Sequence, residues 1–156
     1  PRNRKITIAN PEPPQYSAGG DLALINFIHG GDDFKTGAWQ GYEGVDLDAV
    51  VDLGEVQKIT KIRAGFLQDH DAWIFYPAEI EYLISVDGNT YTSVGLSIPE
   101  TPVNDPERRV LGYTAEFEPA EARYVHVIAK NVGTCPPWHV GAGSKAWIFC
   151  DEIDIE

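Results

Sequence analysis

The cleanest alternation in the chain spans residues 79–86, where Ile80, Tyr82, Ile84 and Val86 fall on one face and Glu79, Glu81 and Ser85 on the other. A period of two marks a strand with one buried face. Asp87-Gly88-Asn89 follows as a hairpin turn, and residues 90–94 are predicted to return beside it. The same rhythm recurs in residues 5–9 and 47–53, the latter closed by Gly54-Glu55. It returns in residues 59–66 through Ile62, Ala64 and Phe66, and in 110–117 through Tyr113, Ala115 and Phe117. Residues 123–129, through Val125, Val127 and Ala129, and residues 146–155 complete the set. Residues 22–25 form an apolar segment too short to assign, and residues 10–14, 99–106 and 131–145 are loops rich in Pro or Gly. Residues 118–122 read as a corner. Short strands at regular intervals with no sustained helical period predict an all-β fold, a jelly-roll β-sandwich. Such a fold commits its strands to packing and leaves its loops to carry function.

Length makes this one domain. A chain of 156 residues can bury roughly 70% of its unfolded surface around one core, and a second core is not expected. No apolar run approaches the ~20 residues of a membrane helix, and no segment reads as a signal peptide. The start at Pro1 and the absence of Met suggest a domain, residues 1–156, excised from a larger protein. Twenty-four acidic against twelve basic residues give a formal charge of −12. That field repels phosphates, so neither nucleic acid nor membrane insertion is expected. Cys135 and Cys150 read as two separate small apolar side chains; if paired, they would stabilise by about 3 kcal/mol. A zinc site from Cys135, His139 and Cys150 lacks a recognisable ligand spacing.

The chemistry sits in loops. Residues 67–77 place Asp69, His70, Asp71 and Trp73 between two strand patterns, residues 131–145 carry Trp138 and His139, and the early loop adds His29 and Trp39. Sugars present apolar C–H faces rimmed by hydroxyls, so a sugar receptor combines an aromatic platform with planar donors and acceptors. On that basis His29, Asp69, His70, Trp73, Trp138 and His139 are the candidate carbohydrate-binding residues. Each has a packing alternative: Trp73 and Trp138 could pack locally, and Asp69 could cap a turn. Trp39 and Trp147 abut strand patterns and are assigned to the core, and His126 is read as a surface or hydrogen-bonded histidine in a strand. Residues 74–76 are expected to lead into the next strand with at least one ring inward. No catalytic reading emerges, because glycoside hydrolysis needs two carboxylates across a bond and the chain holds no Gly-x-Ser-x-Gly elbow.

Four short segments, in order, carry a resemblance: Val51-Asp52-Leu53-Gly54, Ile84-Ser85-Val86-Asp87-Gly88, Arg123-Tyr124-Val125 and Asp151-Glu152-Ile153. Together they resemble the coagulation factor V/VIII type C, or discoidin, domain of the galactose-binding-like class, which includes carbohydrate-binding module family 32. The resemblance spans about residues 22–155. Phe66-Leu67-Gln68-Asp69, Trp73-Ile74-Phe75 and residues 136–143 are similar to the version appended to bacterial family 20 β-hexosaminidases.

The resemblance implies a non-catalytic module that binds terminal hexosamine or galactose-type sugars and targets a neighbouring catalytic domain in the same chain. It implies a secreted, periplasmic or cell-surface setting. It also implies a structural Ca²⁺, held by the Ala23 carbonyl, Asn26, Asp33 and Glu152, although Asn26-Phe27 stands where the family has Asp-Gly. An adhesion or protein-interaction domain and a bracing domain of a β-hexosaminidase are the alternatives.

Overall fold

The computed structural model describes residues 5–8, 24–25, 30, 39–99 and 109–156. Its described strands are β1 (Lys5–Ile8), β2 (Gln40–Glu43), β3 (Leu47–Gln68), β4 (Glu79–Ser85), β5 (Thr92–Ser97), β6 (Arg109–Lys130) and β7 (Trp147–Ile155), and every pairing between them is antiparallel. Among the described residues no helix is long and apolar enough to cross a membrane.

The structure corrects the predicted segmentation. The strands expected over 47–53 and 59–66 are one strand, and those over 110–117 and 123–129 are another. Gly54-Glu55 and the 118–122 corner do not end them. Instead the β3–β6 register slips between Asp52 and Gln57 and again between Ile59 and Lys61. Bulges bend a strand without ending its pairing, so both long strands pass from one layer of a jelly-roll β-sandwich to the other. One layer runs β5, β4, late β6, early β3, β1; the second runs early β6, late β3, β7, β2.

Between the layers, Ile62, Ala64, Phe66, Ile148, Cys150 and Ile153 from one side meet Leu47, Val51, Ile80, Tyr82, Val125 and Val127 from the other. The inward faces read from the alternation are therefore the core faces, with one exception. Val86 is 51% exposed, because β4 ends at Ser85 and the turn has begun. The return strand also starts later than predicted, at Thr92.

Strand β2 has no signature in the sequence, since Gln40-Gly41-Tyr42-Glu43 has no alternating apolar pattern. A Cβ on Gly41 would lie 2.6 Å from the Phe149 ring, so the ring across the β2–β7 pair requires glycine there. Leu24 and Ile25, left unassigned by pattern, are both in the main core. His126 is hydrogen-bonded, with its Nε2 2.6 Å from Asp48 Oδ1.

The segments behind the family resemblance act as stitches in this frame. Asp52 accepts the Arg123 Nε and Nη2 protons at 3.0 and 3.2 Å and the Gly54 amide at 2.8 Å, tying Val51–Gly54 to Arg123–Val125. Ser85 Oγ accepts the Gly88 amide, and Asp87 Oδ1 accepts those of Asn89 and Thr90, closing the hairpin around Gly88 at φ +80°.

The Arg123 side chain, then the Gly54 amide, hold the Asp52 carboxyl below its ordinary range. A folded pKa below the unfolded value, about 3.9, contributes stability that is present above that value and lost as pH falls through the folded one. The melting-temperature gap between wild type and Asp52→Asn is therefore expected to be constant near neutrality and to close in strong acid. A gap that persists unchanged at the lowest pH would contradict this.

Candidate functional site

The polypeptide crosses one end of the sandwich in the β3–β4 connection and again in residues 131–146. After β3 the chain makes a single 3-10 turn, His70–Ala72. Asp69 and Ile74 exchange backbone hydrogen bonds at 3.0 and 2.9 Å and close the loop on itself. Trp73, at the turn's end, is the one non-glycine residue with positive φ among those described, at φ 62° and ψ 24°. That left-handed conformation is unfavourable for a bulky side chain and has to be held by its surroundings. The amide of Trp73 donates to the His70 carbonyl, and its own carbonyl accepts the Trp147 amide at 2.9 Å.

The second loop supplies the rest of the restraint. Asn131 organises its base: the side-chain amide reaches the carbonyls of Tyr42, Val45 and Ala146, and its Oδ1 accepts the Gly133 amide. Nothing in the local pattern singled Asn131 out, because its partners come from distant segments. His139 is buried. Its Nε2–H donates to the His70 carbonyl at 2.6 Å and its Nδ1 accepts the Gly141 amide at 2.9 Å, which assigns the tautomer. Its ring packs 5.2 Å from those of Trp73 and Phe75, while the His70 ring lies 4.7 Å from Phe75 and 5.2 Å from Trp138. Gly141 presses against the Trp73 indole, where a Cβ would overlap the ring.

The two loops meet, and burial sorts the candidate residues. Asp69, His70 and His139 are 2%, 5% and 8% exposed and lie beneath the surface, holding its shape. Trp73 and Trp138 are half-buried over a small cluster of Phe75, Cys135 and Ala146. Trp39 belongs to the core as expected, packed with Leu67, Ile74 and Phe149. Ile74, Phe75 and Tyr76 are all buried. His29 lies outside the described residues. Trp147, assigned to the core from its strand, instead rests half-buried on the Trp39 cluster and faces an open depression of about 610 Å³. Glu43, Ala72, Trp73, Ser144 and Lys145 line that depression with it. Its volume falls in the range of about 300–1,000 Å³ usual for small-ligand sites.

The two cysteines are unbridged and sit in different clusters, and burial pushes both thiols up, Cys150 well above its ordinary value. Of the implied Ca²⁺ ligands, Ala23, Asn26 and Asp33 lie outside the described residues. Glu152 is wholly buried on β7, beside an Asp151 carboxylate that accepts the Gly30 amide at 2.9 Å. Asp151 Oδ1 also accepts the Glu152 amide at 2.7 Å, and among the described residues no group of three or more His, Cys, Asp or Glu side chains is placed to hold a metal ion.

The F5/8 type C domain model matches residues 8–151. No curated protein sequence matches the chain. Among solved structures, the module CpGH89CBM32-5 from Clostridium perfringens, in complex with GalNAc-β-1,3-galactose, is 18% identical with a TM-score of 0.57, over 98% of this chain and 94% of that one. Chitosan-binding module 1, from a chitosanase/glucanase of Paenibacillus sp. IK-5, is 14% identical with a TM-score of 0.59, over 99% and 95%. The CBM32 of AlyQ, in complex with 4,5-unsaturated mannuronic acid, is 13% identical with a TM-score of 0.58, over 97% and 93%. At these identities the likeness is one of fold.

Proposed function

The chain belongs to the F5/8 type C domain family as a non-catalytic domain, and from that premise we propose that it is a carbohydrate-binding module whose ligand stacks in the depression between Trp73 and Trp147. The carrying observation is this pair of half-buried indoles, one held in a left-handed backbone conformation, opening onto a cleft with charged and hydroxyl groups at its rim. An indole face offers the C–H side of a pyranose a flat apolar partner, and the rim satisfies hydroxyls that would otherwise lose water. Trp138 would extend the platform, with Asp69, His70 and His139 bracing it from below. His29 stays a candidate contact.

A terminal hexosamine or galactose-type sugar is the expected ligand. Weak binding of this kind raises the effective concentration of an attached enzyme at its substrate. The Paenibacillus module, derived from a chitosanase/glucanase, supports a glycan-processing parent; a β-hexosaminidase parent and a secreted, periplasmic or cell-surface setting are proposed from the resemblance of residues 66–69, 73–75 and 136–143. Titration with N-acetylglucosamine, N-acetylgalactosamine and galactose, followed through the indole N–H resonances, tests the reading. Selective shifts of the Trp73 and Trp147 signals are expected. If no sugar moves either one, the proposal fails.

A structural Ca²⁺ is proposed at Glu152, with Ala23, Asn26 and Asp33 closing the site. The ion would neutralise buried carboxylate charge and pin the early loop to β7. Chelation with EDTA is then expected to lower the melting temperature by several degrees, reversed by added Ca²⁺. An unchanged melting curve would remove the ion from the account.

A further inference from the structure

Glu43 and Trp147 are directly paired residues of β2 and β7, so their side chains project from the same face about 5 Å apart. Trp73 flanks Trp147 on the other side through the Trp147 amide. Across the depression the order is therefore carboxylate, indole, indole. Lys145 closes the Glu43 end. Its stem lies over Gly44, where a Cβ would sit 3.2 Å from Lys145 Cδ. Both charged residues are exposed, both line the depression, and among the described residues neither has an ion-pair partner.

A carboxylate only accepts hydrogen bonds and an ammonium only donates them. Two adjacent sugar hydroxyls, each able to do both, complete a chain from the ammonium through the diol to the carboxylate, and such chains polarise one another. The sugar's own charge gains nothing between these groups: a uronate carboxylate drawn to Lys145 meets the Glu43 carboxylate, and a protonated amino group drawn to Glu43 meets the Lys145 ammonium, so the neutral diol is favoured. The formal charge of −12 adds a long-range penalty for the uronate.

Resting on the carbohydrate-binding reading, we infer that the ligand is a neutral pyranose whose vicinal diol is clamped between Glu43 and Lys145 while its ring stacks on Trp147 and Trp73. The fold does not decide this, since relatives of similar likeness carry a neutral disaccharide, an acidic sugar and a chitosan-binding designation.

The test compares methyl galactoside, galacturonate and galactosamine near neutral pH on wild type, Glu43→Gln and Lys145→Met, which remove one charge each and keep the shape. The neutral sugar is expected to bind at least about tenfold tighter than either charged one, and each substitution to weaken it about tenfold, the scale of one charge-assisted hydrogen bond. Wild-type affinity for it should change less than about twofold between about 50 mM and about 500 mM NaCl. Preference for galacturonate or galactosamine would overturn the inference and leave the carbohydrate reading standing. So would neutral-sugar binding that ignores both substitutions. Failure of every sugar to bind would remove the carbohydrate reading, and this inference with it.

Discussion

Gly141→Ala is expected to reduce sugar affinity by about a hundredfold while leaving the sandwich folded, the largest binding effect of any single methyl group in the domain. The added Cβ would occupy the space of the Trp73 indole, 2.5 Å from its Cε2. Trp73 has no alternative place to go at low cost. Its backbone is already in the left-handed region, its carbonyl is bonded to Trp147 and its ring packs on His139. Overpacking of this kind costs about 1–3 kcal/mol, so the melting temperature should drop modestly, whereas the platform loses its geometry outright. Gly133→Ala is the control, since a Cβ there meets nothing within 4 Å, its φ of +87° is also in the left-handed region, and it does not line the depression. Titration and thermal melts of both variants separate the two effects. Wild-type affinity in Gly141→Ala would show that the Trp73 position is unimportant.

Phe66→Ala is expected to cost about 3–5 kcal/mol of folding stability, the range for emptying a fully buried aromatic site. Phe66 is at 0% exposure on the part of β3 flanked on one side by β6 and on the other by β7, paired with Leu111 and Cys150, and its ring lies 6.3 Å from that of Tyr113. Neighbours on both strands are held by hydrogen bonds and cannot collapse into the void. That loss is a large part of the about 5–15 kcal/mol margin of an ordinary domain, so the denaturant midpoint should fall sharply with the slope unchanged. Val140→Ala, at a position 91% exposed, should leave the midpoint in place. A Phe66→Ala midpoint within error of wild type would mean that the core repacks freely.

The fold was largely legible in the sequence because alternation reports which face of a strand is buried, whatever that strand pairs with. Ile62, Ala64 and Phe66, and Val125, Val127 and Ala129, were assigned inward on pattern alone and are buried. Continuity was not legible. Gly54-Glu55 and Glu118-Pro119 look like ends, and only the partner strand shows that pairing resumes beyond each slip in register. The candidate site was half legible. Loop aromatics mark a site by composition, so Trp73 and Trp138 stand out. Burial could not be read, and Asp69, His70 and His139 lie under the surface as braces. Nothing in the sequence marks Glu43 and Lys145, because an isolated charge beside a turn looks like any solvated residue. Trp147 was assigned to the core because a ring in a strand usually is.

By itself, then, the order of apolar and polar residues determined an all-β sandwich, the faces of its strands and the loops in which aromatic chemistry collects, because these depend on neighbours one to four positions away. Tertiary structure alone decided which of those aromatics reach solvent, that the Trp73 indole is clamped by Gly141 and His139, and that Glu43, Trp147 and Trp73 stand in a row. Those relations join β2, the β3–β4 connection and the segment before β7. Contacts between residues so far apart in the chain leave no local periodicity: the pairing of β2 with β7 sets Glu43 beside Trp147, and the bond from the Trp147 amide to the Trp73 carbonyl adds the second indole.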